Sequence, residues 1–202
     1  MGPALGRLAE NLRAFGVAPE EIAAVFLTHI HPDHSNGLVD ASGHAVYPNA
    51  ELIVHETEAR FWLDRDEASG ANERIRNIAK AATATAPYRQ RLRTVREGEA
   101  MTGVAAVALP GHTPGHTGWL IASGKESLLI WGDLVHLASV QLARPDTGLV
   151  FDVDPQAACA MRLRTFDRVA ADRLKVAGAH LDFPGFGTIA RRGAGFAFEP
   201  ET

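Results

Sequence analysis

Apolar and polar positions along the chain fall into short blocks with two alternating periods. Leu5, Leu8, Leu12 and Phe15 repeat at helical spacing before Gly16, which predicts a helix over residues 5–15. Residues 22–28 form a nearly continuous apolar run, read as a buried strand, and 50–55 read the same way. Residues 56–91 are charged and alanine-rich, predicting one or two surface helices that end near Pro87. Three short apolar runs, 104–109, 118–122 and 127–131, are separated by Gly, Pro and Ser turns and predict strands. Asp154 is placed to cap a helix over 155–171 with Pro155 at its first position, and 174–177 reads as a final short strand. Helices and strands interleave without a linker or repeat, which predicts one α/β layered domain over residues 1–202.

Composition narrows the class. With 46% hydrophobic and 22% charged residues, the chain is neither disordered nor fibrous. A net charge of −4 argues against nucleic acid as a partner, since such proteins carry a basic stripe. No apolar run approaches the ~20 residues that span a bilayer, so no membrane partner is expected and a cytoplasmic location is. The single cysteine, Cys159, cannot form an internal disulfide; between alanines on a predicted helix it reads as an inert buried thiol.

The nine histidines change the picture most. His29-Ile30-His31-Pro32-Asp33-His34 puts four donors in six residues directly after an apolar strand, and imidazole with carboxylate suits zinc and similar borderline metals. His112, Asp133 and His180 each follow a predicted strand, with a glycine one or two residues ahead that lets backbone approach closely. The seven donors suffice for two metal ions that keep an open coordination position.

In this order the donors resemble the metallo-β-lactamase superfamily, whose signature is a His-x-His-x-Asp-His run followed by a distant His, an Asp and a last His. The stretches 111–117, Trp131-Gly132-Asp133 and 143–146 are similar to its methyl-parathion-hydrolase-like and lactonase-like branch. The resemblance implies an αββα sandwich. It also implies two divalent ions, zinc first among them: His29, His31 and His112 on one, Asp33, His34 and His180 on the other, and Asp133 bridging. Such ions, about 3.5–4 Å apart, give a hydroxide near neutral pH that attacks a carbonyl or phosphoryl centre. Asp33 and Asp133 are then the catalytic carboxylates, with Asp33 accepting or shuttling the proton. The expected enzyme is a dinuclear metallohydrolase of an ester, lactone or phosphotriester, acting on a small molecule and allowing a homodimer.

His116 is expected to orient a ligand by hydrogen bond. His136 either lines the pocket or is a loop histidine, and His44 and His55 read as surface or packing residues. Phe61, Trp62, residues 135–142, Phe183 and Phe186 are candidates for an apolar pocket wall or for core. Asn36 stands where the family commonly has glycine, and no tyrosine follows Asp133. Relatives place several strands and an Asp-x-Gly turn before the first motif, and residues 1–21 show neither, so an N-terminally shortened sandwich with an exposed sheet edge is expected. Two alternatives stand beside the hydrolase: a mononuclear-iron sulfur dioxygenase, and a non-catalytic metal-binding fragment. Diiron oxidoreductases usually carry glutamate where His31 stands.

Overall fold

In the computed structural model, which describes residues 6–64 and 80–201, the chain divides into two compact units, Met1–Thr94 and Val95–Thr202. The first unit is built on a three-stranded sheet. Strand β1 (Ala24–Phe26) runs parallel to β2 (Glu51–His55), and β3 (Leu92–Val95) completes the order β1-β2-β3. Leu52, Ile53 and Val54 are all fully buried, so β2 is covered on both faces and reads as an unbroken apolar run. Leu52 and Val54 pack with Leu27, Ile30, Leu38, Trp62 and Tyr88. The buried Tyr88 hydroxyl donates to the Leu38 carbonyl at 2.9 Å and accepts from the Tyr47 N–H at 3.0 Å. Burial pushes both phenols, Tyr47 and Tyr88, above their ordinary value.

Helix α1 (Leu8–Ala14) is shorter than its apolar spacing predicts, and Leu5 lies outside the described residues. It buries nothing completely: Leu8 and Phe15 are exposed, and Leu12 alone packs on the core. The strand expected over 22–28 is also shorter. Only Ala24–Phe26 has register partners; the Leu27 N–H still bonds the Ile53 carbonyl at 3.0 Å, and the buried residues that follow, 28–30, form the loop that carries the histidines. Helix α2 (Pro32–Ser35) is a single turn, and α3 (Glu56–Leu63) begins where His55 Nδ1 accepts the Thr57 N–H. His55 is thus a helix cap, while His44 is exposed beside Asp40. The helices expected over 56–91 are seen as α3, as helical residues 80–85 and as a 3-10 segment, Ala86–Arg91, that runs through Pro87; residues 65–79 lie outside the described residues. They are not simply surface helices, because α3 buries Glu58, Ala59 and Trp62.

The second unit is a seven-stranded sheet with order β10-β9-β8-β7-β6-β5-β4. Its strands are β4 (Gly98–Met101), β5 (Val104–Ala108), β6 (Thr117–Ser123), β7 (Glu126–Ile130), β8 (Lys175–Ala177), β9 (Phe186–Arg192) and β10 (Gly195–Pro200). Every neighbouring pair is antiparallel except β7 and β8. The chain joins that parallel pair through a single turn, α4 (Ala138–Gln141), and then α5 (Pro155–Asp172), capped by Asp154, whose side chain accepts the Ala157 N–H. Phe166 and Val169 of α5 pack on Leu129, Trp131, Val176, Ile189 and Phe196 to form the core.

Strands β3, β4, β9 and β10 are absent from the sequence reading, and 174–177 is not the last strand. The cause is thin patterning: β4 is an exposed edge with a bulge between Glu99 and Met101, and β9 buries a single large apolar side chain, Ile189. Cys159 is half-buried rather than buried, with Sγ 3.2 Å from the Asp146 carbonyl. Among the described residues no helix is long and apolar enough to cross a membrane.

Candidate metal centre

In the first unit the loop leaving β1 carries His29, His31, Asp33 and His34. His29 is wholly buried, with Nδ1 3.1 Å from Thr28 Oγ1. Its ring lies 4.8 Å from that of His31 and 4.3 Å from that of His34. His31 caps α2 in extended conformation with Pro32 at the first helical position, so Asp33 and His34 share one turn, 3.6 Å apart between Oδ2 and Nε2.

Glu58, at 1% exposure, holds this loop from below. Its Oε1 accepts the Ile30 N–H at 2.9 Å and the Trp62 indole N–H at 2.6 Å. Trp62 meets the His31 ring edge-on at 5.2 Å, so this side chain belongs to the support of the loop and not to a pocket wall. Phe61 packs edge-to-face on Trp62.

In the second unit the donors collect at one end of the sheet for a topological reason. Ile130 of β7 and Ala177 of β8 are register partners, and Trp131 N–H still bonds the Ala177 carbonyl at 2.9 Å. Asp133 and His180 each follow three residues after that last pair, at the carboxyl ends of neighbouring parallel strands. The β5–β6 connection, which holds His112 and His116, lies at the same end, because Trp119 pairs with Ile130. Gly111 has φ +137, and a Cβ there would overlap the backbone of Ala157 and Ala158 at the start of α5, so glycine alone lets the His112 loop approach the helix.

Partners determine which nitrogen of each ring is a donor. His116 Nδ1 must donate to the Leu109 carbonyl at 2.9 Å, and Nε2 must accept the Asp133 backbone N–H at 3.0 Å. A neutral ring with both nitrogens so used positions Asp133 and has no lone pair left for a metal. Gly132, at φ +56, provides the turn that brings Asp133 there. His112 Nδ1 faces Asp152 Oδ1 at 3.0 Å, and Asp152 Oδ2 accepts the Leu149 N–H at 2.9 Å. Burial would raise the Asp152 carboxyl, but these hydrogen bonds, with the Arg162 charge nearby, outweigh it and hold it below its ordinary value. An ionised Asp152 takes the Nδ1–H and leaves His112 Nε2 as a lone pair, the arrangement of a carboxylate-backed metal histidine.

That lone pair turns toward Asp133. Three ring nitrogens approach Asp133 Oδ2: His136 Nε2 at 2.9 Å, His180 Nε2 at 3.3 Å and His112 Nε2 at 3.6 Å. Asp133 is 2% exposed. Imidazole nitrogens gathered on one buried carboxylate oxygen form a borderline-metal donor set, so these residues fit a divalent cation.

Glu58, Asp152, His136, Gln141 and Arg162 are the contributors the sequence reading misses or leaves open. Gln141 Oε1 accepts the backbone N–H groups of His136 and Leu137. Arg162, buried on α5, donates to the carbonyls of Leu134, Pro145 and Thr147 and so anchors the segment after Asp133. The Glu58–Trp62 spacing of four was a usable signal for an inward carboxylate. Nothing local ties Asp152 to a histidine forty residues earlier. Of the expected pocket residues, Val135 and Leu142 are core, Leu137 and Val140 are exposed, Phe183 stands at 97% exposure and Phe186 lies in β9 at 40%.

The chain is similar over its whole length to two solved structures. One is a hydrolase, AbOPH, of the beta-lactamase superfamily, at 35% identity and TM-score 0.93. The other is AidC, a dizinc quorum-quenching lactonase in complex with its product, at 28% identity and TM-score 0.91. Each match covers 100% of this chain and 72% of the other. An N-acyl homoserine lactonase of Bacillus cereus is 26% identical over 126 residues, which is 61% of this chain but 42% of that protein, so the match spans less than half of the relative. The family model described as the metallo-beta-lactamase superfamily matches residues 1–180, and the chain belongs to that superfamily.

Proposed function

We propose that this protein is a metal-dependent hydrolase. In this reading two divalent ions, zinc first among them, are held by His29, His31, Asp33, His34, His112, Asp133 and His180, and the substrate is a small ester, lactone or phosphotriester. The observation that carries the proposal is the convergence of imidazole nitrogens on buried Asp133 Oδ2, with Asp152 behind His112 to hold its tautomer. The relatives' names, a hydrolase and two lactonases, support the reaction class. Divalent ions on such a set lower the pKa of a water toward neutrality and polarise the oxygen that becomes negative.

The chain's own groups do the rest. His116 holds the Asp133 backbone, so the carboxylate is oriented before any ligand arrives. Asp33, with its side chain 49% exposed, can accept a proton and exchange it with solvent. Leu137, Val140 and Phe151 are exposed apolar side chains, and the Phe151 ring lies 6.5 Å from that of His136, which suits a substrate with an apolar arm.

Metal analysis with a hydrolysis panel tests the proposal: an acyl-homoserine lactone, an aryl phosphotriester, a p-nitrophenyl ester and nitrocefin. Turnover of at least one substrate, abolished by chelation and by Asp33→Ala, is the expected result. Protein without stoichiometric metal, or full activity in Asp33→Ala, would overturn it. Oxygen uptake with a persulfide substrate in place of hydrolysis would assign the mononuclear-iron chemistry instead.

A further inference from the structure

We propose that the second unit contains a metal site of its own, formed by His112, Asp133 and His136, in which His136 is a ligand outside the seven-donor set. The proposal rests on the metal-dependent reading only in sharing His112 and Asp133.

One ligand atom from each of these three residues lies within 4.8 Å of the others. Donors on a tetrahedral zinc, each at 2.0–2.1 Å, stand about 3.3 Å apart. His136 Nε2 and His112 Nε2 lie 2.9 and 3.6 Å from Asp133 Oδ2, on either side of that spacing. The donor atoms of the two rings lie within 4.8 Å of each other, and closing that third edge while the other two settle toward about 3.3 Å would place both nitrogens and the oxygen on one ion. Two imidazoles and one carboxylate leave open positions and suit zinc, cobalt or ferrous iron.

The segment that carries His136 is fixed through its backbone. Gln141 Oε1 accepts its backbone N–H at 2.8 Å, and Gln141 Nε2 in turn donates to the Thr147 carbonyl at 3.2 Å. Its ring stacks on that of His180, 4.9 Å between centroids at 22°. The side chain is 13% exposed, and Nδ1 is buried without a hydrogen-bond partner among the described residues. The polar group the ring faces is the Asp133 carboxylate. All three donors belong to the second unit, so one ion can be bound without the loop of residues 29–34.

The test removes that loop's donors in the intact chain: His29→Ala, His31→Ala, Asp33→Ala and His34→Ala together. Equilibrium dialysis against zinc, and the visible spectrum of the cobalt(II) form, report what remains. About one ion per chain is expected. Adding His136→Ala is expected to weaken it by more than the roughly 10–100-fold that loss of an outer partner costs. A folded fourfold variant that binds no ion, or one whose ion is unaffected by His136→Ala, overturns the proposal. If the fourfold variant does not fold, the native chain loaded with one equivalent of cobalt(II) serves. His136→Ala should then shift the visible bands, and an unchanged spectrum overturns the proposal. Wild-type hydrolysis tests the seven-donor reading, whereas the His136 arm is read in metal binding alone, so the two can fail separately.

Discussion

The donors of the first unit are contiguous, four within residues 29–34, whereas those of the second come from residues 112, 133, 136 and 180. The two groups are supported differently. Glu58 holds the first loop through a backbone N–H, that of Ile30, and also accepts from the indole of Trp62, which meets the His31 ring. In the second unit three of the four donors have a support of their own: Asp152 on the His112 ring, His116 on the Asp133 backbone, Gln141 on the His136 backbone. A contiguous motif needs its loop held once; a dispersed one needs each side chain or its backbone oriented separately. Damage to Glu58 should therefore register as stability, and damage to Asp152 as metal affinity.

The largest expected effect lies where the second unit's rings converge. Asp133→Ala removes the oxygen that three imidazoles share and several kcal/mol of metal-derived stabilisation with it, so hydrolysis should fall on the order of 10³-fold. Activity within tenfold of wild type would remove Asp133 from the centre. Next is Glu58→Ala, which strands two buried donors at about 1–3 kcal/mol each, whereas Glu58→Gln keeps an acceptor and should lose much less. Urea unfolding decides; equal losses in the two variants would mean that the carboxyl's acceptor role is not what matters.

Asp152→Ala should weaken zinc binding by about 10–100-fold, because the His112 tautomer is no longer enforced. Competition with a chromophoric chelator measures it. Unchanged affinity would erase the contrast between the two units. The smallest effect belongs to Tyr88. Tyr88→Phe leaves a buried N–H and a carbonyl without their bridge, a loss of about 1–3 kcal/mol in the first unit alone. Its raised phenol pKa also sets a pH dependence. The neutral form is favoured in the fold, so this contribution is complete below the unfolded value of about 10 and is lost as pH rises through the higher folded value. The urea midpoint of wild type should fall above that pH, and that of Tyr88→Phe should fall less; parallel curves would count against it.

Much of this was legible in the chain. Residues 29–34 announce their chemistry because ligand type, spacing and a preceding apolar run are all local. Asp154 and Pro155 open α5 where capping chemistry places them. Trp62 stood open between pocket wall and core, because an aromatic on a charged helix looks the same whether its indole N–H faces a substrate or a buried carboxylate; the structure puts it in the core. The setting of Phe186 was not legible, because the β9–β10 hairpin has too few inward apolar residues to show a strand.

The sequence by itself determined the donor inventory, its order and the strand-then-glycine setting of each donor, since these depend on residue type and short-range spacing. Only the tertiary structure decided which nitrogen of each ring is available and what stands behind it. Asp152 lies forty residues from His112, and His116 reaches the Asp133 backbone across seventeen. Such pairings exist only once strand order β5, β6, β7, β8 brings three connections to one end of a sheet.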